Sequence, residues 1–302
     1  MRQGSMSPSS NGDHAVIVDI PAVMSEAAWP SCRAVAQDIA TQRRAAVALN
    51  LSALQVLDGA GLAAILALLA APVRRRQPMA AYGLSESVRP VLELVGLDGT
   101  VPHYAREADA LAALGARRAR RVAVAPAPSS PSVHGTWAQP VRRLAAPPAP
   151  PPAVNLNVDG RSTQSPLDGF GRMLRKTYSV RLHGSLATPN DVIAHWRARF
   201  ASFWPAGNRY VGPDRELRAG DVGLLNLTLL GPIKLYTGVF VIHAGDTSFS
   251  FLTPQGHMFG GLITFSAHRA GGVTVASVQP LIRAGDPLYE LALRLGPGAA
   301  ME

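Results

Sequence analysis

Asp58, Gly59, Ala60, Gly61 and Leu62 concentrate the chain's capacity for polar recognition. A carboxylate just ahead of an apolar run stands where a helix leaves its first amide groups without partners, and glycines there permit tight turning. Asp58 is therefore read as a helix cap, worth about 1 kcal/mol, and as the polar residue of an exposed loop that meets a protein partner. Leu62 is expected to turn inward. His257 follows the turn glycine Gly256 and, with Trp196 and Tyr236, is a candidate for lining a ligand cavity; the competing reading is a solvated turn histidine. His243, at a strand end, and His183 are weaker candidates. No histidine pair has metal-ligand spacing with a carboxylate nearby. Ser85 and Ser266 lack the context of a nucleophile elbow, and no glycine-rich loop ends in Gly-Lys-Ser/Thr. The expectation is a protein that is not an enzyme and that takes no cofactor and no metal.

The elements that must position the loop are legible as periodicity. Val47, Leu49 and Leu51 alternate like a buried strand, and Leu62, Ile65, Leu66 and Leu69 recur at helical spacing. Before them, His14 to Ala22 reads as a strand, and Ser25 caps a helix through about Thr41. After them come a strand at Met79 to Leu84 and a helix carrying Val88, Val91, Leu92 and Val95. A last helix runs from Glu107 to about Gly115. Arg74–Arg76 suit the negative end of the central helix. Strands alternating with helices predict a layered α/β domain over 13–115, after a disordered tail at 1–12.

The 302 residues allow two domains, and a hydrophobic content of 47% allows both to have cores. The net charge of +9 comes from scattered arginines, so nucleic-acid or membrane-surface association through Arg117–Arg121 and Arg142–Arg143 is a third-ranked reading. One cysteine, Cys32, excludes an internal disulfide framework and reads as a buried apolar residue. The start of the chain lacks a signal-peptide core and no apolar run is long enough to span a bilayer, so a cytoplasmic protein is expected. Residues 116–160 are rich in proline, alanine and arginine and read as a tether that leaves the geometry of its two ends unfixed.

Over 161–302 the pattern changes. Lys176 to Gly184 alternates like a strand, and Thr188-Pro189-Asn190-Asp191 is a helix start. Ile193, Trp196, Phe200 and Phe203 line one face of the helix that follows. Five strand-like blocks come next, and Asp286-Pro287 opens a closing helix. This predicts an α+β domain in which a curved antiparallel sheet wraps a terminal helix.

The first half resembles the STAS domain of bacterial anti-sigma factor antagonists. The resemblance is carried by NLSALQVLDGAGLAAILALLAAPVRRR and by VRPVLELVGLDGTVPHY. It implies docking of a signalling partner such as an anti-sigma factor through Asp58 to Leu62. Where signalling members carry a phosphorylated serine, this chain has Ala60, whose methyl group accepts no phosphoryl; Asn50 stands where many members have aspartate. The second half resembles, by element order and by Thr253-Pro254-Gln255-Gly256-His257, the START-like helix-grip superfamily of polyketide cyclases and lipid-transfer proteins. That implies a bound lipid or apolar small molecule. The expected function is thus a regulatory binding protein without the phosphoserine switch; the alternative places the function in an apolar ligand site, or a cyclase-like site, of the second half.

Overall fold

The computed structural model describes residues 14–126, 135–146, 158–230 and 233–295. The expected tail and residues 127–134 and 147–157 of the expected tether lie outside them.

The first half builds a five-stranded parallel sheet. Its elements are β1 (His14–Asp19), α1 (Trp29–Thr41), β2 (Ala46–Asn50), α2 (Gly59–Arg75), β3 (Met79–Tyr82), α3 (Arg89–Leu94), β4 (His103–Tyr104), α4 (Glu107–Ala113) and β5 (Arg118–Ala123). The strand order is β4-β3-β2-β1-β5. α1 begins at Trp29 with Pro30 in its first turn, and a short 3-10 turn at Glu26–Ala28 precedes it, so Ser25 makes no side-chain cap. β5 lies inside the expected tether. Two of its arginines are engaged by acids of the first half: Arg120 pairs with Asp38 of α1, and Arg121 bridges Asp19 of β1 at 2.9 Å and Glu107 of α4. The basic run thus forms a sheet edge, with Arg120 and Arg121 committed to ion pairs.

The second half forms a ten-stranded antiparallel sheet. Its principal elements are β6 (Gly135–Trp137), β7 (Phe170–Arg175), β8 (Tyr178–Leu182), α5 (Pro189–Ala198), β9 (Arg209–Val211), β10 (Val222–Leu230), β11 (Ile233–Gly245), β12 (Ser248–Pro254), β13 (Phe259–Ala270), β14 (Val273–Ala284) and α6 (Pro287–Leu295). The main path runs β7-β14-β13-β12-β11-β10-β9, with β8 also on β14 and β6 on β11. α5 starts as its sequence demands: Thr188 Oγ1 accepts from the Asp191 amide, and the Asp191 carboxylate accepts from the Thr188 amide.

Strand alternation gives the large sheet two faces. One carries Val239, Val241, Phe249, Phe251, Phe265 and Ala267 and is covered by α5 and Phe200. The other carries Phe240, Ile242, Leu252, Leu262 and Leu281, which share one core with the first half, including Leu62, Ile65 and Leu66 of α2. α2 packs against β7, β12, β13 and β14. Two expectations are corrected here. The helix held on that face is α2, whereas the closing helix α6 has nine residues and packs chiefly against β14 and β7. The segment between the halves does not leave them free, because β5 joins one sheet, β6 joins the other, and Leu144 and Val158 are buried in the shared core. No helix among the described residues is long and apolar enough to cross a membrane.

Candidate functional site

Asp58 caps α2, its Oδ1 accepting from the Gly61 amide at 2.7 Å. The cap was expected; the surroundings were not. The loop is not exposed: Asp58 is 5% accessible, and Gly59, Ala60, Gly61 and Leu62 are buried. Two segments cover it, the second sheet at Gly59 and Met24 of the first half at Gly61. A Cβ on Gly59 would overlap the Ser250 hydroxyl on β12, and one on Gly61 would overlap the backbone of Met24. The two glycines are thus required by close approach of other chain segments rather than by turn conformation. Burial pushes the Asp58 carboxyl up to about 7, the nearby Glu26 charge adds to the rise, and the Gly61 and Ala60 amides oppose it.

Beside this contact lies a polar seam. Ser266 Oγ and Gln279 Nε2 each donate to the Glu26 carboxylate at 2.6 Å, and His268 Nδ1 stands 3.6 Å from it. Arg175 Nη2 donates to Gln279 Oε1 at 3.4 Å while its guanidinium lies 3.6 Å over the Trp29 ring. The amide of Gln279 is therefore polarised between a cation and a carboxylate. Register builds the seam: Ser248, Ser266 and Ser277 form one cross-strand row, Ser250, Thr264 and Gln279 the next, and Leu252, Leu262 and Leu281 a third. Ser250 and Thr264 hydroxyls are bonded to each other at 3.0 Å. Ser248 Oγ and Trp29 Nε1 are buried without hydrogen-bond partners. The serine here is not set up as a nucleophile, since Ser266 gives its proton directly to a carboxylate with no imidazole between them. What the arrangement does is hold a carboxylate.

The other candidates are dispersed. His257 is not solvated: its Nδ1 accepts from the Phe259 amide at 3.0 Å, and burial pushes it down to about 4. His243 lies 4.6 Å from the Trp137 ring, and burial pushes it down to about 3. Trp196 belongs to the α5 face, edge-on to Phe249 and Phe265 at 6.3 and 5.4 Å. Tyr236, half-buried, shares its strand parity with Phe240 and Ile242 on the opposite face. Trp196 and Tyr236 therefore do not line one cavity. A cleft of about 330 Å³ opens instead past the end of α5, between Arg199, Phe200, Arg209, Tyr210 and Arg215. Cys32 is buried, and burial pushes its thiol up to about 12. No group of three or more metal-ligating side chains occurs among the described residues.

Glu26, Ser250, Thr264, His268 and Gln279 escaped the sequence reading. A signal existed: SFSFLT, LITFSAH and VASVQPL each alternate polar and apolar residues, which in isolation looks like a sheet face turned to water. In α2, Gly59 to Val73 contains no polar side chain, the mark of a helix covered on every side.

The chain is a mixed α/β protein with one large antiparallel sheet and several helices. No protein-family model matches it, and no curated protein does. Among solved structures it is similar to the KanY protein, with 13% identity and a TM-score of 0.33 over 43% of this chain and 86% of that one. Protein Ms6760 from Mycobacterium smegmatis gives 18% identity and 0.30 over 42% and 82%. A major latex-like protein from Panax ginseng gives 11% and 0.29 over 41% and 92%. Values this low assign no family.

Proposed function

We propose that this chain is a non-catalytic regulatory binding protein whose docking loop is held by its own second sheet until the two halves part. The observation that carries the reading is the burial of Asp58 to Leu62, with Gly59 lying directly against Ser250 and Thr264 of the second sheet. The STAS-like pattern of the first half supports a signalling protein, such as an anti-sigma factor, as the partner of that loop. With Ala60 in the acceptor position, phosphorylation does not control access; separation of the sheets does. The helix-grip-like pattern of the second half supports the same picture, with α2 as the gripped helix.

The test leaves the loop sequence intact. Ser250→Leu adds bulk where Gly59 approaches, so amide exchange at 58–66 should speed while exchange at 189–198 does not. Any partner gained by this variant should be lost again on adding Asp58→Ala. Unchanged protection at 58–66 would refute the proposal.

A further inference from the structure

We infer that the seam on the second sheet is a recognition site for an amphiphilic carboxylic acid, and that Glu26 occupies it as an internal stand-in for the ligand's carboxylate. The inference rests on the reading that the two halves part. Glu26 reaches the site from 240 residues away in sequence and takes both of its short hydrogen bonds from the second sheet, from Ser266 and Gln279. Those donors are organised by groups of the same half: Arg175 orients the Gln279 amide, and His268 faces the carboxylate beside Ser266. Take Glu26 away and the second half still presents a hydroxyl, an amide N–H, an imidazole and a nearby guanidinium around one point. That is the donor set a carboxylate requires.

The apolar part of the ligand has a bed as well. Two residues along each strand from Thr264 and Gln279 lies the row Leu252, Leu262 and Leu281, about 7 Å away. Its present cover is α2, whose residues share its core. A molecule with an acid head and a hydrocarbon tail reproduces both contacts that the first half makes, Glu26 by its head and α2 by its tail. The contact being replaced is imperfect: Ser248 Oγ and Trp29 Nε1 are unpaired at the seam, and Asp58 is buried there without an opposite charge. Such a ligand competes with the docked first half and thereby frees the Asp58 loop.

The experiment uses the full chain with octanoate as probe and octanol as its uncharged counterpart. Glu26→Ala should bind octanoate at least tenfold more tightly than the unmodified chain and should show no such gain for octanol. Adding Gln279→Leu should abolish the gain. In the unmodified chain, octanoate at high concentration should accelerate amide exchange across 59–69, and octanol should not; this measurement stands even if Glu26→Ala fails to fold. Equal octanoate affinity with and without Glu26, or equal response to octanol, overturns the inference. Its failure is separable from that of the self-held loop, which is judged by Ser250→Leu without any ligand.

Discussion

The two faces of the second sheet are closed by different kinds of chemistry. On one, Phe200 stands edge-on to Phe251, Phe265 and Phe249 at 5.1, 5.4 and 5.9 Å, and Phe249 stacks on Phe265 at 4.6 Å. The covering helix α5 comes from the same half. On the other, a leucine row adjoins two rows of hydroxyls and amides, and the cover comes from the first half with two carboxylates, Glu26 and Asp58. The first face is closed mainly by ring packing, although the hydroxyls of Tyr210 and Thr237 lie buried in it without partners, and opening it would expose that aromatic surface to water. The second face differs in burying a carboxyl group, Asp58, which closes it at a cost, while Glu26 beside it keeps part of its side chain exposed. The contrast teaches where to look for regulation in this molecule.

Three substitutions sharpen the contrast. The largest effect should come from Phe200→Ala, which empties the centre of the aromatic face and should lower unfolding stability by about 3–5 kcal/mol in urea titration. A loss below that of an ordinary surface substitution would mean that this face is not the stable one.

Next is the pH dependence set by Asp58. Its folded carboxyl is held at about 7, above its unfolded range, so the folded chain binds more protons than the unfolded one between about pH 4 and 7. That contribution to stability is complete below this window and is lost as pH rises through it. His243 and His257, pushed down to about 3 and 4, act in the opposite direction below their unfolded values. The readout is therefore a difference. Stability of Asp58→Asn minus that of the unmodified chain should climb with pH by up to about 1.4 kcal/mol per unit across the window and level off above it. A difference independent of pH would show that the carboxyl is solvated and the seam open.

The smallest effect should come from Thr188→Ala, which removes the cap of α5 and should cost about 1 kcal/mol. Exchange at 58–66 should be untouched, because the cap serves the other face. Loss of protection there would show that the two faces are not independent.

Much of the local architecture was readable in the chain. Thr188-Pro189-Asn190-Asp191 announced a capped helix and Asp58 announced another, because caps depend on residues within one turn. Alternation gave the long strands for the same reason. The terminal helix was misplaced as the gripped element because helical period does not say which sheet a helix meets. The proline-rich boundary hid β5 and β6, since short edge strands carry little periodicity of their own. His257 was legible as a turn residue, but its burial was not.

The sequence by itself determined that Asp58 would cap an apolar helix, that its neighbours would be small, and that Ala60 would offer no hydroxyl. Tertiary structure alone decided what lies against them. Cover of Asp58, company for Glu26 and the alignment of Ser250 with Thr264 depend on strand register and on segments up to 253 residues apart. Contacts at that separation leave no local pattern, because each partner's own neighbourhood is already satisfied without reference to the other.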